Sequence, residues 1–127
     1  MHTILVYDDE EPILEVIKIV LEEAGFKVIT SVHGETALSD IERYKPSIVL
    51  LDIWMKEIHG HEIVKKIKAK SLYKNMPVIL ISALNETESI ANKVNADGFL
   101  KKPFDINELV CKVQYHILKS QYIPPTI

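Results

Sequence analysis

A few residues at the ends of apolar runs could do chemistry together. They are the acids Asp8-Asp9-Glu10-Glu11 after the first run, Asp52 after a second, Ser82 after a third and Lys101-Lys102 after a fourth. Carboxylates crowded together repel one another, and burying their charge is unfavourable. A hard divalent cation relieves both: Mg²⁺ takes one or two carboxylates, keeps waters and shares the rest of its shell with phosphate oxygens. A lysine and a hydroxyl donate to the same phosphoryl group. Together these types describe phosphoryl transfer. Asp52 attacks phosphorus and becomes an acyl phosphate, while Mg²⁺ at Asp8 and Asp9 offsets the charge building on the transferring group.

Such a site exists only if the run ends share one rim, and the pattern of elements supplies that. Short β-branched runs alternate with longer amphipathic stretches. Thr3 to Tyr7 reads as a strand, followed by a helix opened by Pro12 and running to about Ala24, with Ile13, Leu14, Ile17, Val20 and Leu21 at helical spacing. Gly25 stops it as a left-handed cap. Val28-Ile29-Thr30 is a second strand, and Gly34 to about Arg43 a helix with Ala37, Leu38 and Ile41 inward. The unbroken apolar run Ile48-Val49-Leu50-Leu51, ending at Asp52, suits a central strand covered on both faces. A helix over His61 to Ala69, a strand ending at Ser82, a weaker helix over Glu86 to Val94 and a strand over Gly98 to Lys101 follow. Asp105 caps a last helix through Leu109, Val110, Val113 and Ile117. Five strand–helix units predict a doubly wound α/β domain with one parallel sheet and helices on both faces. Ligands gather beyond the carboxyl ends of such strands, where the acids, Ser82 and the lysines stand. The domain is expected over 1–120, with 121–127, which contains Pro124-Pro125, as a C-terminal tail or the start of a linker.

The 127 residues suffice for one domain with a real core, and 47% hydrophobic with 26% charged residues is a globular composition. A net charge of -3 gives no general attraction to nucleic acid or an anionic membrane. No apolar run has the length of a membrane span, and Met1-His2-Thr3 has no basic region of a signal peptide, so a cytoplasmic protein is expected. Cys111 is the only cysteine; it excludes an intramolecular disulfide and is expected as a buried thiol. The Lys65, Lys66, Lys68, Lys70 and Lys74 cluster reads as a solvated face, Glu10 and Glu11 as a solvated helix start, and His59 and His61 as solvent-exposed loop residues.

With these residues in view, the chain resembles the receiver domain of two-component response regulators over nearly its whole length. The resemblance rests on Asp8-Asp9, on Asp52-Ile53-Trp54-Met55 with Gly60, on Ser82-Ala83 and on Lys102-Pro103-Phe104, in that order. It implies a flavodoxin-like sheet of strand order 2-1-3-4-5 and a phosphoacceptor, Asp52, served by a sensor histidine kinase or histidine phosphotransfer protein. It further implies Mg²⁺, or Mn²⁺ in its place, held by Asp8, Asp9, Asp52 and the backbone carbonyl of Trp54, with Asp8 acting partly through water. Ser82, Ala83 and Lys102 would bind the phosphoryl group, and the bond before Pro103 is commonly cis in the family. Ser82 would move toward the phosphoryl group and Phe99 would turn inward, reshaping the surface of the fourth helix, fifth strand and fifth helix for a partner, or for a homodimer formed on phosphorylation. Such a domain is a signalling protein that catalyses its own phosphorylation, not an enzyme with a turnover substrate.

Two departures from the family pattern stand out. Lys56 and His59 replace a proline and an acid in the loop after the acceptor, and Trp54 and Leu84 are bulky at positions flanking the phosphoryl group, where they would impede water and lengthen its lifetime. A phosphohydrolase would place an acid at Trp54, and a flavin module would need a hydroxyl- and Gly-rich loop where Asp8 to Glu11 stand. The remaining alternative is a receiver-like interaction domain that works without phosphorylation.

Overall fold

The computed structural model describes residues 1–122 and Pro125, so the expected tail lies mostly outside the described residues. Five strands, β1 (Thr3–Tyr7), β2 (Lys27–Ser31), β3 (Ile48–Asp52), β4 (Val78–Ser82) and β5 (Gly98–Lys101), form one sheet in the order β2-β1-β3-β4-β5. Every neighbouring pair is parallel. The helices are α1 (Glu11–Glu23), α2 (Ala37–Tyr44), α3 (Gly60–Lys68), α4 (Thr87–Lys93) and α5 (Ile106–Gln121). Fold class and strand order are as the sequence and its resemblance predicted.

Period-two alternation divides the strand side chains between two cores. Leu5, Tyr7, Val49, Leu51, Val78 and Leu80 face α2, α3 and α4. Ile4, Val6, Ile48, Leu50, Ile79 and Ile81 face α1 and α5. β3 and β4 are therefore buried along their whole length, which is why their sequences are apolar without alternation. Each such aliphatic side chain contributes about 1.5–3 kcal/mol on leaving water.

Local signals set the ends of the helices. Pro12 sits in the first turn of α1, where its missing N–H has no partner to lose, and Gly25 follows at φ 98°. At α5, the Glu108 N–H donates to the Asp105 carboxylate at 2.7 Å, and the Asp105 N–H points back at the Glu108 carboxylate. This cap lies three residues after Lys102 and holds the helix that anchors the lysine-bearing loop.

Several expectations are corrected. Cys111 is exposed, because it lies on the side of α5 opposite the buried Leu109, Val113 and Ile117. The second helix is preceded by a separate 3₁₀ turn over Gly34–Thr36, and Ala37 begins the α-helix itself. Lys68 is not part of a solvated face: its ammonium pairs with Asp97 at 2.7 Å and donates to the Met76 carbonyl at 2.8 Å, tying α3 to the start of β5. His59 and His61 are half-buried rather than exposed.

Asp105→Ala removes the cap of α5 and is expected to cost about 1 kcal/mol. Thermal denaturation followed by circular dichroism should show a melting temperature lower by about 3–5 °C; no change would mean that packing alone holds the helix start.

Candidate functional site

The carboxyl ends of β1, β3, β4 and β5 meet in a single cluster. Asp8 follows β1 directly, and Asp52 is the last residue of β3. Both are nearly inaccessible to water, at 1% and 4% exposure. Ser82, the last residue of β4, is fully buried. Lys102 follows β5; its N–H donates to the Ser82 carbonyl at 2.8 Å, which continues the ladder one residue past the sheet. Its ammonium then reaches Asp8 Oδ2 at 2.9 Å and Asp52 Oδ2 at 3.1 Å, with Glu10 Oε1 farther off at 3.8 Å. The Lys102–Pro103 bond is cis.

Burial decides the electrostatics. Desolvation, and then the nearby Asp8 charge, push the Asp52 carboxyl up to about 6, although the Lys102 charge and hydrogen bond and the Trp54 N–H pull the other way. For Lys102, burial alone favours the neutral amine. Hydrogen bonds and charges of Asp8 and Asp52 overcome that and raise it above its ordinary value, so it is a fixed cation.

The loops are shaped around these groups. The Glu10 N–H donates to Asp8 Oδ1 at 2.9 Å, a turn that swings the Glu10 carboxylate back over the cluster. The Trp54 N–H donates to Asp52 Oδ1 at 3.2 Å. The loop then closes through Gly60, whose N–H donates to the Ile53 carbonyl at 2.8 Å. A methyl group at Gly60 would be driven into the Asp52 carbonyl oxygen and lie 2.8 Å from its carbonyl carbon, so only glycine permits this approach behind the acceptor. Ser82 Oγ accepts from the Leu84 N–H at 3.1 Å, and the Thr87 hydroxyl donates to the Leu84 carbonyl at 2.6 Å, fixing the β4–α4 loop.

The other anticipated residues are placed as follows. Ala83 is exposed at the site's edge and Leu84 is half-buried. Trp54 is 53% exposed and packs edge-to-face on His59, with ring centroids 5.1 Å apart. Phe99 is half-buried against the α2–α3–α4 core, with the Lys112 ammonium 5.6 Å from its ring centre. Ligand atoms of Asp8, Glu10 and Asp52 lie within 4.8 Å of one another, a donor set of hard oxygens that fits Mg²⁺. Asp9, half-buried, is not a member of that set, whereas Glu10, expected as a solvated helix start, is; only the two-residue spacing from Asp8 hinted at it.

The geometry agrees with what the chain resembles. A family model described as the response regulator receiver domain matches residues 4–114. The chain belongs to the response regulator receiver family. It is 31% identical over 125 residues to the alkaline phosphatase synthesis transcriptional regulatory protein PhoP of Bacillus subtilis, covering 97% of this chain and 51% of that protein. It is 36% identical over 115 residues to the response regulator SaeR of Staphylococcus aureus, covering 89% and 49%. The receiver thus spans about half the length of these relatives. Among solved structures, a putative response regulator from Chloroflexus aurantiacus matches with a TM-score of 0.86 at 28% identity, over 92% of this chain and 98% of that one. Vibrio cholerae chemotaxis response regulator CheY4 matches with 0.84 at 28%, over 91% and 98%. No described helix is long and apolar enough to cross a membrane.

Because the folded pKa of Asp52 lies above the ordinary carboxylate value near 4, this group favours the fold most below that value, and its contribution is lost as pH rises through about 6. In metal-free buffer, Asp52→Asn should therefore melt several degrees above the wild type at pH 7.5, and the two should converge toward pH 4. A variant less stable than the wild type at pH 7.5 would sink this account of the site's repulsion.

Proposed function

We propose that this receiver takes a phosphoryl group on Asp52 from the phosphohistidine of a sensor kinase or histidine phosphotransfer protein in the cytoplasm. The observation that carries the reading is the single ammonium of Lys102 held between two buried carboxylates, 2.9 Å from Asp8 and 3.1 Å from Asp52, beside the buried hydroxyl of Ser82.

Asp52 is ionised above pH 6, so its oxygen is available as a nucleophile at neutral pH. It bonds to phosphorus as the phosphorus–nitrogen bond of the donor breaks, and the electron pair returns to the imidazole ring of the donor. Lys102 carries the positive charge that stays with the phosphoryl oxygens, and Ser82 donates its hydroxyl to another. The backbone N–H of Ala83 is a further donor at the same edge. Asp8, Asp9 and Asp52, with the Trp54 carbonyl, are the expected Mg²⁺ or Mn²⁺ ligands, and the Glu10 carboxylate stands beside them. A cation there would supply the charge that lets three acids and a phosphoryl group share one rim.

The switch begins at Ser82. Its Oγ accepts from the Leu84 N–H, which leaves the hydroxyl proton free to donate to the phosphoryl group. Phe99, half-buried against the α2–α3–α4 core, is the side chain that fills the space released. Having no hydroxyl, it changes packing rather than hydrogen bonding, and the α4–β5–α5 surface changes with it. Trp54 and Leu84 flank the site on two loops and hinder an incoming water, which lengthens the phosphoryl state.

Intact mass after incubation with acetyl phosphate or phosphoramidate and Mg²⁺ should show one added phosphoryl group, absent in Asp52→Asn and in the presence of EDTA. No adduct, with beryllofluoride also failing to bind, would leave a phosphorylation-independent interaction domain. Once phosphorylated, the wild type should outlast Trp54→Ala and Leu84→Ala by about tenfold each, or ~1.4 kcal/mol in the hydrolysis barrier. Loss of the phosphoryl group from the wild type within seconds would remove Trp54 and Leu84 as protecting residues.

A further inference from the structure

Three side chains that phosphoryl chemistry at Asp52 does not use, His33, Glu35 and Glu57, gather on the same rim. His33 and Glu35 stand on the segment that follows β2, and Glu57 on the loop between β3 and α3. One ligand atom from each lies within 4.8 Å of the other two. His33 Nδ1 and Glu35 Oε1 are 3.4 Å apart. Two donors on a tetrahedral Zn²⁺ with bonds of about 2.0 Å stand roughly 3.3 Å from each other, so this pair already has the spacing of one coordination edge. Glu57 supplies a third corner through a small rotation of an exposed side chain. An imidazolium–carboxylate pair would account for His33 and Glu35 alone. It leaves a second carboxylate, Glu57, brought to the same point, and among the described residues neither glutamate pairs with a lysine or arginine.

The backbone beneath these ligands is held by packing. Gly34, buried between His33 and Glu35, lies so close to the neighbouring segment that a methyl group there would stand 2.7 Å from Ile63 Cδ1 and 3.3 Å from Met55 Cε. Met55 is two residues before Glu57, so the same contact fixes the two ligand-bearing segments against each other. The His33 N–H donates to Ser31 Oγ at 2.9 Å, and the Thr36 hydroxyl donates to the His33 carbonyl at 3.1 Å. Binding an ion therefore orders three side chains and no backbone, which keeps its entropic cost low. His33 and Glu57 also line a cavity of about 570 Å³ with Asp9, Glu10 and Glu11. Four acids against one lysine, Lys56, make this an approach for cations.

We propose that His33, Glu35 and Glu57 bind a transition-metal ion of the Zn²⁺ class, with water in the remaining position. The site is separate from the set of Asp8, Glu10 and Asp52 and differs from it in chemistry. Three carboxylates offer only hard oxygens and suit Mg²⁺, whereas an imidazole nitrogen with two carboxylates suits Zn²⁺. The ion ties the segment after β2 to the β3–α3 loop, which carries Trp54 at its other end. Its binding does not depend on whether Asp52 is phosphorylated.

Calorimetric titration of the whole chain with Zn²⁺, in excess Mg²⁺, should show one ion bound with a dissociation constant below about 100 μM. His33→Ala and Glu57→Gln should each weaken it at least tenfold, whereas Asp8→Asn and Cys111→Ser should leave it unchanged. All three proposed ligands are exposed, so the variants should melt with the wild type in the absence of zinc. In nuclear magnetic resonance spectra of the wild type, the ring nitrogens of His33 should be the first of the five histidines to shift as Zn²⁺ is added. No binding tighter than about 1 mM, zinc that leaves the His33 ring unmoved, or binding lost in Asp8→Asn but kept in His33→Ala would each overturn the proposal.

Discussion

Lys102 lies between two carboxylates that have almost no access to water, and one ammonium cannot satisfy both. Asp8 and Asp52 arrive at this point because β1 and β3 are adjacent parallel strands of matching length, and Lys102 arrives because β5 runs parallel to them at the sheet's far edge. Asp52 answers the crowding by holding its proton up to about pH 6, so the pair plus lysine carries less negative charge than three free side chains would. The strain is electrostatic and is concentrated on the atoms where a phosphoryl group and a cation would be welcome. Stability given up here is returned by the two apolar cores, which bury β3 and β4 completely.

Most of the fold could be read from the chain because its signals are periodic and redundant. The Ile48 to Leu51 run suits a strand covered twice, and in the fold period-two alternation sends Ile48 and Leu50 to one core and Val49 and Leu51 to the other. Pro12, Gly25 and Asp105 punctuate helices for reasons confined to their own backbones, and all three act as expected. Asp52, Ser82 and Lys102 were legible as a cluster because each ends a strand, and parallel strands end on one side.

What was not legible depends on side-chain direction in loops and on partners distant in sequence. Glu10 joins Asp8 and Asp52 only because a turn onto the Asp8 carboxylate carries it back, and no periodicity encodes that turn. Lys68 looked like one of a solvated row until Asp97, on another element, supplied its partner. Cys111 departs from expectation for a different reason: burial is the common fate of a lone cysteine, yet its phase on α5 is that of Leu118 and not of Val113. Phase counted from Leu109, Val113 and Ile117 puts it outside.

Helical phase separates two kinds of apolar surface on this domain. Side chains on the inward stripes of α1 and α5 stabilise the fold whether or not anything binds, since the sheet is always there to cover them. Tyr115 and Leu118 contribute nothing of that kind, and left in water they are a liability for solubility. The rim at Asp52 is the polar counterpart: there the fold leaves two buried carboxylates sharing one ammonium.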